Sequence, residues 1–313
     1  MKRRFWITLL LLICLGLVVV GTQAYRAFFG KEDNSAPIDE QKTFAIAEVS
    51  KLRLKTVSAD VRLSPSDGDR IEVELRGTTG KQGAVTLKTQ QQGGQLTVEV
   101  QQKQRMFSWF SLGSSLTLDV KVPKEQLKEI AVSTVSGDQE WSGMQASSLE
   151  SSSTSGEVSI QDSLGKLKVT TVSGDQQLEG IQGEGLTASS VSGEIGVSGS
   201  ELADWSVHSV SGDVTLDQVT GPVKVKTTSG EISLDLAEMA AVSAESVSGD
   251  VQVQVPKEAE FQLAGKSVSG SIRVNADGFE TTDASKSHYR GGVGKGGPAV
   301  EFKTVSGEVK LSN

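Results

Sequence analysis

Residues 167–198 read LKVTTVSGDQQLEGIQGEGLTASSVSGEIGVS, and two copies of one pattern are visible in them. Each copy has alternating apolar and small residues, then Ser-Gly-acid, then a second alternating pair. The Ser-Gly corners recur at Ser136-Gly137, Ser155-Gly156, Ser173-Gly174, Ser192-Gly193, Ser211-Gly212, Ser229-Gly230, Ser248-Gly249, Ser269-Gly270 and Ser306-Gly307, with Ser58-Ala59 as a degenerate tenth. From Gly137 to Gly249 the glycines step by 19, 18, 19, 19, 18 and 19 residues. Self-similarity at a fixed short period marks a stacked repeat.

Aligned on the glycine, the repeat shows two inward columns. Ahead of the corner stand triplets such as Leu167/Val169/Thr171, Trp205/Val207/Ser209 and Val300/Phe302/Thr304; behind it stand pairs such as Val158/Ile160, Val214/Leu216 and Val309/Leu311. A period of two means a strand with one buried face. Each unit is therefore strand, glycine bend, strand, corner. Glycine is expected at the bend for its tolerance of φ > 0, and the serine before it as a local hydrogen-bonding partner for the backbone. A unit of about 19 residues cannot bury its own face, so units must stack, about 4.8 Å apart, around a shared core. The fold class is all-β: a parallel β-solenoid of about 19-residue rungs. The third motif residue alternates Asp and Glu, which leaves open a two-motif turn of about 37 residues beside the one-motif turn.

Four segments divide the chain. Residues 1–30 hold Lys2-Arg3-Arg4 and then an apolar run from Phe5 to Gly21. This reads as a cytoplasmic basic flank and a transmembrane helix, or as a signal peptide cleaved near Ala24. Residues 31–42 read as a polar tether. Residues 43–127 supply a first rung (Leu52, Leu54, Thr56, then Val61, Leu63) and alternating strands read as hairpins that cap one end. Residues 128–313 carry the repeats. Cys14 is the only cysteine, so no intramolecular disulfide exists.

The chain holds 31 basic and 39 acidic residues, and residues 1–31 hold five of the bases and none of the acids. An acidic body excludes nucleic acid as the expected partner. Two histidines, His208 and His288, and no nucleophile elbow argue against a Ser-His hydrolase. Gly292, Gly294 and Gly297 match a dinucleotide fingerprint only in spacing, since no strand-turn-helix surrounds them. Neither catalytic residues nor a cofactor are expected.

Two features remain as candidate interaction sites. Asp138, Glu157, Asp175, Glu194, Asp213, Glu231 and Asp250 would form an acidic ladder along one edge: a solvated face, a track for a basic partner, or a weak divalent-cation site. Met106, Phe107, Trp109, Phe110 and Leu112 form the one aromatic cluster outside the anchor segment, either covering the core's end or offering an apolar loop to a partner. At the far end, residues 288–298 read as a Gly-rich loop. The chain then stops inside a good rung at Leu311-Ser312-Asn313, which leaves the C-terminal rung open for self-association unless residues 277–298 fold over it.

The Thr-Val-Ser-Gly-Asp/Glu-Val-x-Leu units at 134–138, 171–175, 209–216, 246–253 and 304–311, with the lead-in 56–69, resemble the bacterial DUF4097 family, also called putative adhesins or β-strand-repeat proteins. The resemblance covers roughly residues 44–313. It implies a β-solenoid, often membrane-tethered, with some members tied to envelope stress, and no catalytic residues. The expected function is a non-catalytic adhesive, structural or interaction surface held outside the bacterial cytoplasmic membrane by the N-terminal helix. Its expected partners are that membrane and an envelope protein or cell-wall polymer. A stress-sensing regulator acting through a membrane partner is the alternative, and a carbohydrate-active β-helix enzyme a weaker one.

Overall fold

The computed structural model describes residues 36–79, 85–102, 115–124, 127–285 and 287–313. Every repeat folds as the alternation demands. One strand runs into the Ser-Gly corner and one runs out, in two facing sheets of 15 and 13 strands. The strands before the corners form what we call the lead sheet, those after them the trailing sheet. Leu149 pairs with Leu167, Leu167 with Leu186, and Leu186 with Trp205, all in parallel register. Consecutive motifs thus lie in consecutive rungs, and the turn contains one motif. The predicted inward columns are the core: Val169, Val207, Val225, Ile160, Val214 and Leu216 are fully buried between the sheets.

The order of rungs in space departs from their order in sequence at both ends. The first rung, Lys51–Lys55 with Asp60–Ser66, lies inside the stack. On one side it pairs with Glu129–Ser133 and Gln139–Ser142, on the other with Gln95–Gln102 and Ser115–Pro123. Beyond that outer rung, Arg70–Thr79 and then Ala36–Ala45 continue the trailing sheet antiparallel, and Val85–Gln92 continues the lead sheet. Residues 36–42, expected as tether, therefore belong to an edge strand. The hairpin cap itself is present, with its turn at Gly93-Gly94, both at positive φ.

The C-terminal end repeats the device, and here two expectations are corrected. The last rung, Ala299–Thr304 with Glu308–Ser312, is not an open edge. It fills the space between the 242–254 rung and the 261–275 rung, paired on both sides. Residues 288–298 are not simply a loop either: His288–Val293 and Glu280–Ala284 form an antiparallel hairpin that extends the lead sheet past Phe261–Ser267. The 37-residue step from Gly270 to Gly307 is the length of that excursion and return. Among the described residues no helix is long and apolar enough to cross a membrane; the proposed span, residues 5–21, lies outside them.

Candidate functional site

The corners stack into a file, and the file explains the motif residue by residue. Three positions before each glycine stands a buried Ser or Thr. At Gly156, Gly193, Gly212, Gly230, Gly249 and Gly270 its hydroxyl accepts the glycine N–H, at 2.9 Å for Ser153 to Gly156, 2.8 Å for Ser190 to Gly193, 2.9 Å for Ser209 to Gly212 and 3.0 Å for Thr227 to Gly230, while Thr134 and Thr171 accept instead from the side-chain amides of Gln139 and Gln176. This hydroxyl, and not that of the serine beside the glycine, caps the bend. The adjacent serine acts through its backbone: Ser192 N–H donates to Val172 O at 2.9 Å and Ser211 N–H to Val191 O at 2.9 Å, so the ladder continues around the corner.

The expected reason for glycine is also corrected. Among the corner glycines only Gly307 has a positive φ. What each position requires is space. A Cβ on Gly156 would lie 2.1 Å from Gly137 O, and on Gly212 2.0 Å from Gly193 O. The rungs touch backbone to backbone here, at Cα–H···O range. Ala59, fully buried, is tolerated because it ends the file, with no Ser-Gly corner beyond it.

The acidic ladder exists, and its alternation has a structural use. Asp carboxylates accept the backbone N–H of the acid in the next rung: Asp138 from Glu157 at 2.9 Å, Asp175 from Glu194 at 2.8 Å, Asp213 from Glu231 at 2.8 Å and Asp250 from Glu308 at 2.7 Å. Asp60 does the same for Asp138 at 3.1 Å. Glu157, Glu194 and Glu231, one methylene longer, make no such bond to the rung that follows. The four aspartates of the ladder therefore tie rungs together through the backbone, and Glu231 reaches the following rung only through the Gln252 side-chain amide, which donates to it at 2.7 Å. Among the described residues no three His, Cys, Asp or Glu side chains are grouped to hold a metal ion. The aromatic cluster Met106, Phe107, Trp109, Phe110 and Leu112 lies outside the described residues.

The surface feature that sequence reasoning missed stands between the capping hydroxyl and the serine. Val57, Val135, Val172, Val191, Val210, Val247, Val305 and Val268 point outward at this position, with Thr154 and Thr228 completing the file. Seven of these valines are 43–47% exposed, and Val268, in the outermost rung, is 76% exposed. Each valine is covered by its neighbours in the stack and open on its outer side. Ten rungs at about 4.8 Å make an apolar ridge about 43 Å long. The signal was available: a hydrophobe repeated at an outward position of the alternation. A contiguous exposed apolar strip marks an interaction surface more often than scattered hydrophobes do.

Toward the C-terminal end the ridge borders a trench of about 920 Å³. Its opposite wall is the outward column of the lead sheet, His208, Lys226, Glu245, Lys303 and Lys266, and Ser287 and His288 of the terminal hairpin also line it. Glu245 bridges Lys226 at 2.6 Å and Lys303 at 2.9 Å. Hydrogen bonds from Lys226 and then Lys303 hold its carboxyl at about 2, and the same contact raises Lys303. His208 and His288, unrelated in sequence, line this trench at its opposite ends, with Lys226, Glu245, Lys303 and Lys266 in the strands between them. Their hydroxyl contacts are local, His208 with Ser206 at 3.4 Å and His288 with Ser287 at 3.0 Å. No carboxylate orients either ring among the described hydrogen bonds, so neither forms a triad.

Two further buried groups were not singled out from sequence. Gln139 and Gln176 occupy inward positions of the trailing sheet and reach the lead sheet of the next rung, bonding Ser152 O at 2.9 Å and Ser189 O at 2.7 Å. Their polarity hides them from an apolar-column search, although both fall on its period.

Comparison with solved structures finds matches at low identity. A putative lipid binding protein from Parabacteroides distasonis is 15% identical, over 87% of this chain and 96% of that one, with a TM-score of 0.53. A putative adhesin from Parabacteroides merdae is 14% identical, over 87% of this chain and 95% of that one, with a TM-score of 0.49. At such identity the first of these speaks to the fold alone. No curated protein matches. The family model Toastrack DUF4097 matches residues 49–312, from just before the first rung to its last, inserted one. A stack of Ser-Gly corners that runs nearly the whole length of that match is what the sequence resemblance implied, and the chain belongs to the Toastrack DUF4097 family.

Proposed function

We propose that this chain is a non-catalytic interaction scaffold. Residues 5–21 hold it at the outer face of a bacterial cytoplasmic membrane, and it engages an envelope protein through its valine file. The observation that carries the reading is the ridge itself. Eight outward valines at one repeated position form a rigid strip whose spacing is set by backbone ladders. Burying such a strip releases water from apolar surface at about 25 cal/mol per Å². Little side-chain entropy is lost, because valine is already stiff at χ1. Outward positions elsewhere on the sheets, such as Gln177, Thr215 and Lys224, are polar.

A photo-crosslinking residue placed at Val172 or Val191 in cells, against Gln177 and Thr215 as controls, tests the surface. Adducts with one discrete envelope protein at the valine sites alone support the reading. Equal labelling at all four sites, or none, removes it. An alkaline phosphatase fusion at Asn313 tests the placement: it should be active, and the protein should stay with membranes after alkaline extraction. An inactive fusion would refute an extracytoplasmic body.

A further inference from the structure

The outward column of the lead sheet changes character along the stack. After Lys55 it runs Ser133, Ser152, Thr170, Ser189 and then, in adjacent rungs, His208, Lys226, Glu245, Lys303 and Lys266. Beside the short hydroxyl residues the valine ridge stands open. Beside the long residues a second wall rises parallel to it, and the space between becomes the 920 Å³ trench. The terminal hairpin closes one end, where His288 pairs in register with Lys266. The trench is thus built by these side chains and not by the repeat as such. Its volume lies in the range of small-molecule sites, and five rungs at about 4.8 Å give it a length of about 19 Å.

Its two walls differ in chemistry. One is the apolar file Val210, Val247, Val305 and Val268. The other carries three ammonium groups and one carboxylate, and that carboxylate is shared between Lys226 and Lys303. Lys266 has no ion-pair or hydrogen-bond partner among the described residues. This is a local cationic excess on a body in which acids outnumber bases. Lys266, exposed and unpaired, is free to meet an anionic group, and an anionic sugar would leave the valine wall wet.

We propose that the trench binds a phosphate-headed single-chain amphiphile. Its acyl chain lies along the valine wall, and its head sits at the closed end on Lys266 and Lys303. This inference stands on the trench and is independent of the proposed envelope-protein partner, so either can fail alone.

The test uses the full chain in phosphatidylcholine nanodiscs with a diazirine-bearing dodecyl phosphate, and adducts mapped by peptide mass spectrometry. Adducts should concentrate in 245–247, 266–268 and 303–305. Unlabelled dodecyl phosphate should compete, whereas dodecanol and inorganic phosphate should not. Lys266→Glu and Val247→Asp should each cut labelling at least tenfold with an unchanged melting temperature, and Lys266→Gln serves if charge reversal disturbs the fold. Labelling spread along the whole valine file, labelling indifferent to Lys266, competition by inorganic phosphate, or no labelling would each overturn the proposal.

Discussion

Replacing Gly193 by alanine tests the close approach of the rungs. The new Cβ would lie 2.1 Å from Gly174 O and 2.6 Å from Gly174 C, both backbone atoms that cannot swing aside. Ordinary carbon–oxygen contact needs about 3.3 Å, so the two rungs must part by roughly 1 Å. Three inter-rung bonds bracket the site: Ser192 N–H to Val172 O at 2.9 Å, Gln176 N–H to Glu194 O at 2.9 Å and Glu194 N–H to the Asp175 carboxylate at 2.8 Å. At about 1 kcal/mol each, losing them costs about 3 kcal/mol. Gly199→Ala is the control. Gly199 sits at φ +55° with nothing within 4 Å of its would-be Cβ, so only the left-handed backbone is penalised, by about 1 kcal/mol. Urea unfolding of both variants measures the difference, and amide exchange around residues 172–195 should show local opening in Gly193→Ala alone. If Gly193→Ala is no more destabilising than Gly199→Ala, the close-approach explanation is wrong.

Asp175→Glu keeps the charge and loses the bond to Glu194 N–H, so it should cost about 1 kcal/mol in urea unfolding, while Glu157→Gln should change stability by under half of that; equal effects would refute a tying role for the aspartates. Ala188→Ser should stabilise by up to about 1 kcal/mol, although it buries a hydroxyl. The reason is that Gln176 Oε1 is buried without a partner, whereas Gln139, the equivalent residue, receives the Ser151 hydroxyl at 2.8 Å from the position Ala188 occupies in its own rung; a lowered melting temperature would contradict this. Glu245, held at about 2 against the ordinary 4.5, contributes stability that is complete above pH 4.5 and lost as pH falls through about 2. The melting-temperature gap between wild type and Glu245→Gln should therefore be flat above pH 5 and close near pH 2, with a ceiling of about 1 kcal/mol for so exposed a bridge; a gap that persists at pH 2 would refute the assignment.

The repeat, its period and the inward columns were legible because burial enforces alternation, and alternation is written in every copy; the number of motifs per turn was left open by the Asp/Glu alternation and is decided by the strand register. Even Trp205 fell in its column, its indole N–H reaching Thr220 O at 2.8 Å. The rung order at the ends was not legible. Residues 261–275 and 299–312 carry the same pattern, so either could stack on the 242–254 rung, and only the three-dimensional path of the 280–293 hairpin decides between them. The glycine requirement was read from the local bend, but it arises between rungs and so lies outside any single copy. The valine file is written plainly, but alternation singles out the buried positions and places no demand on what stands at the outward ones. The trench needs His208, Lys226, Glu245, Lys303 and Lys266 in that spatial order, which depends on the inserted rung and so could not be read in advance.

Electron–electron distance measurement tests the stack and the inserted rung together. With Cys14 changed to serine, spin labels on the exposed corner serines Ser155 and Ser306 lie six rungs apart, about 29 Å, and on Ser155 and Ser269 seven rungs apart, about 34 Å. Stacking with insertion predicts the shorter distance to Ser306, the residue farther along the chain. A shorter distance to Ser269, or separations that do not scale with rung number, would contradict it.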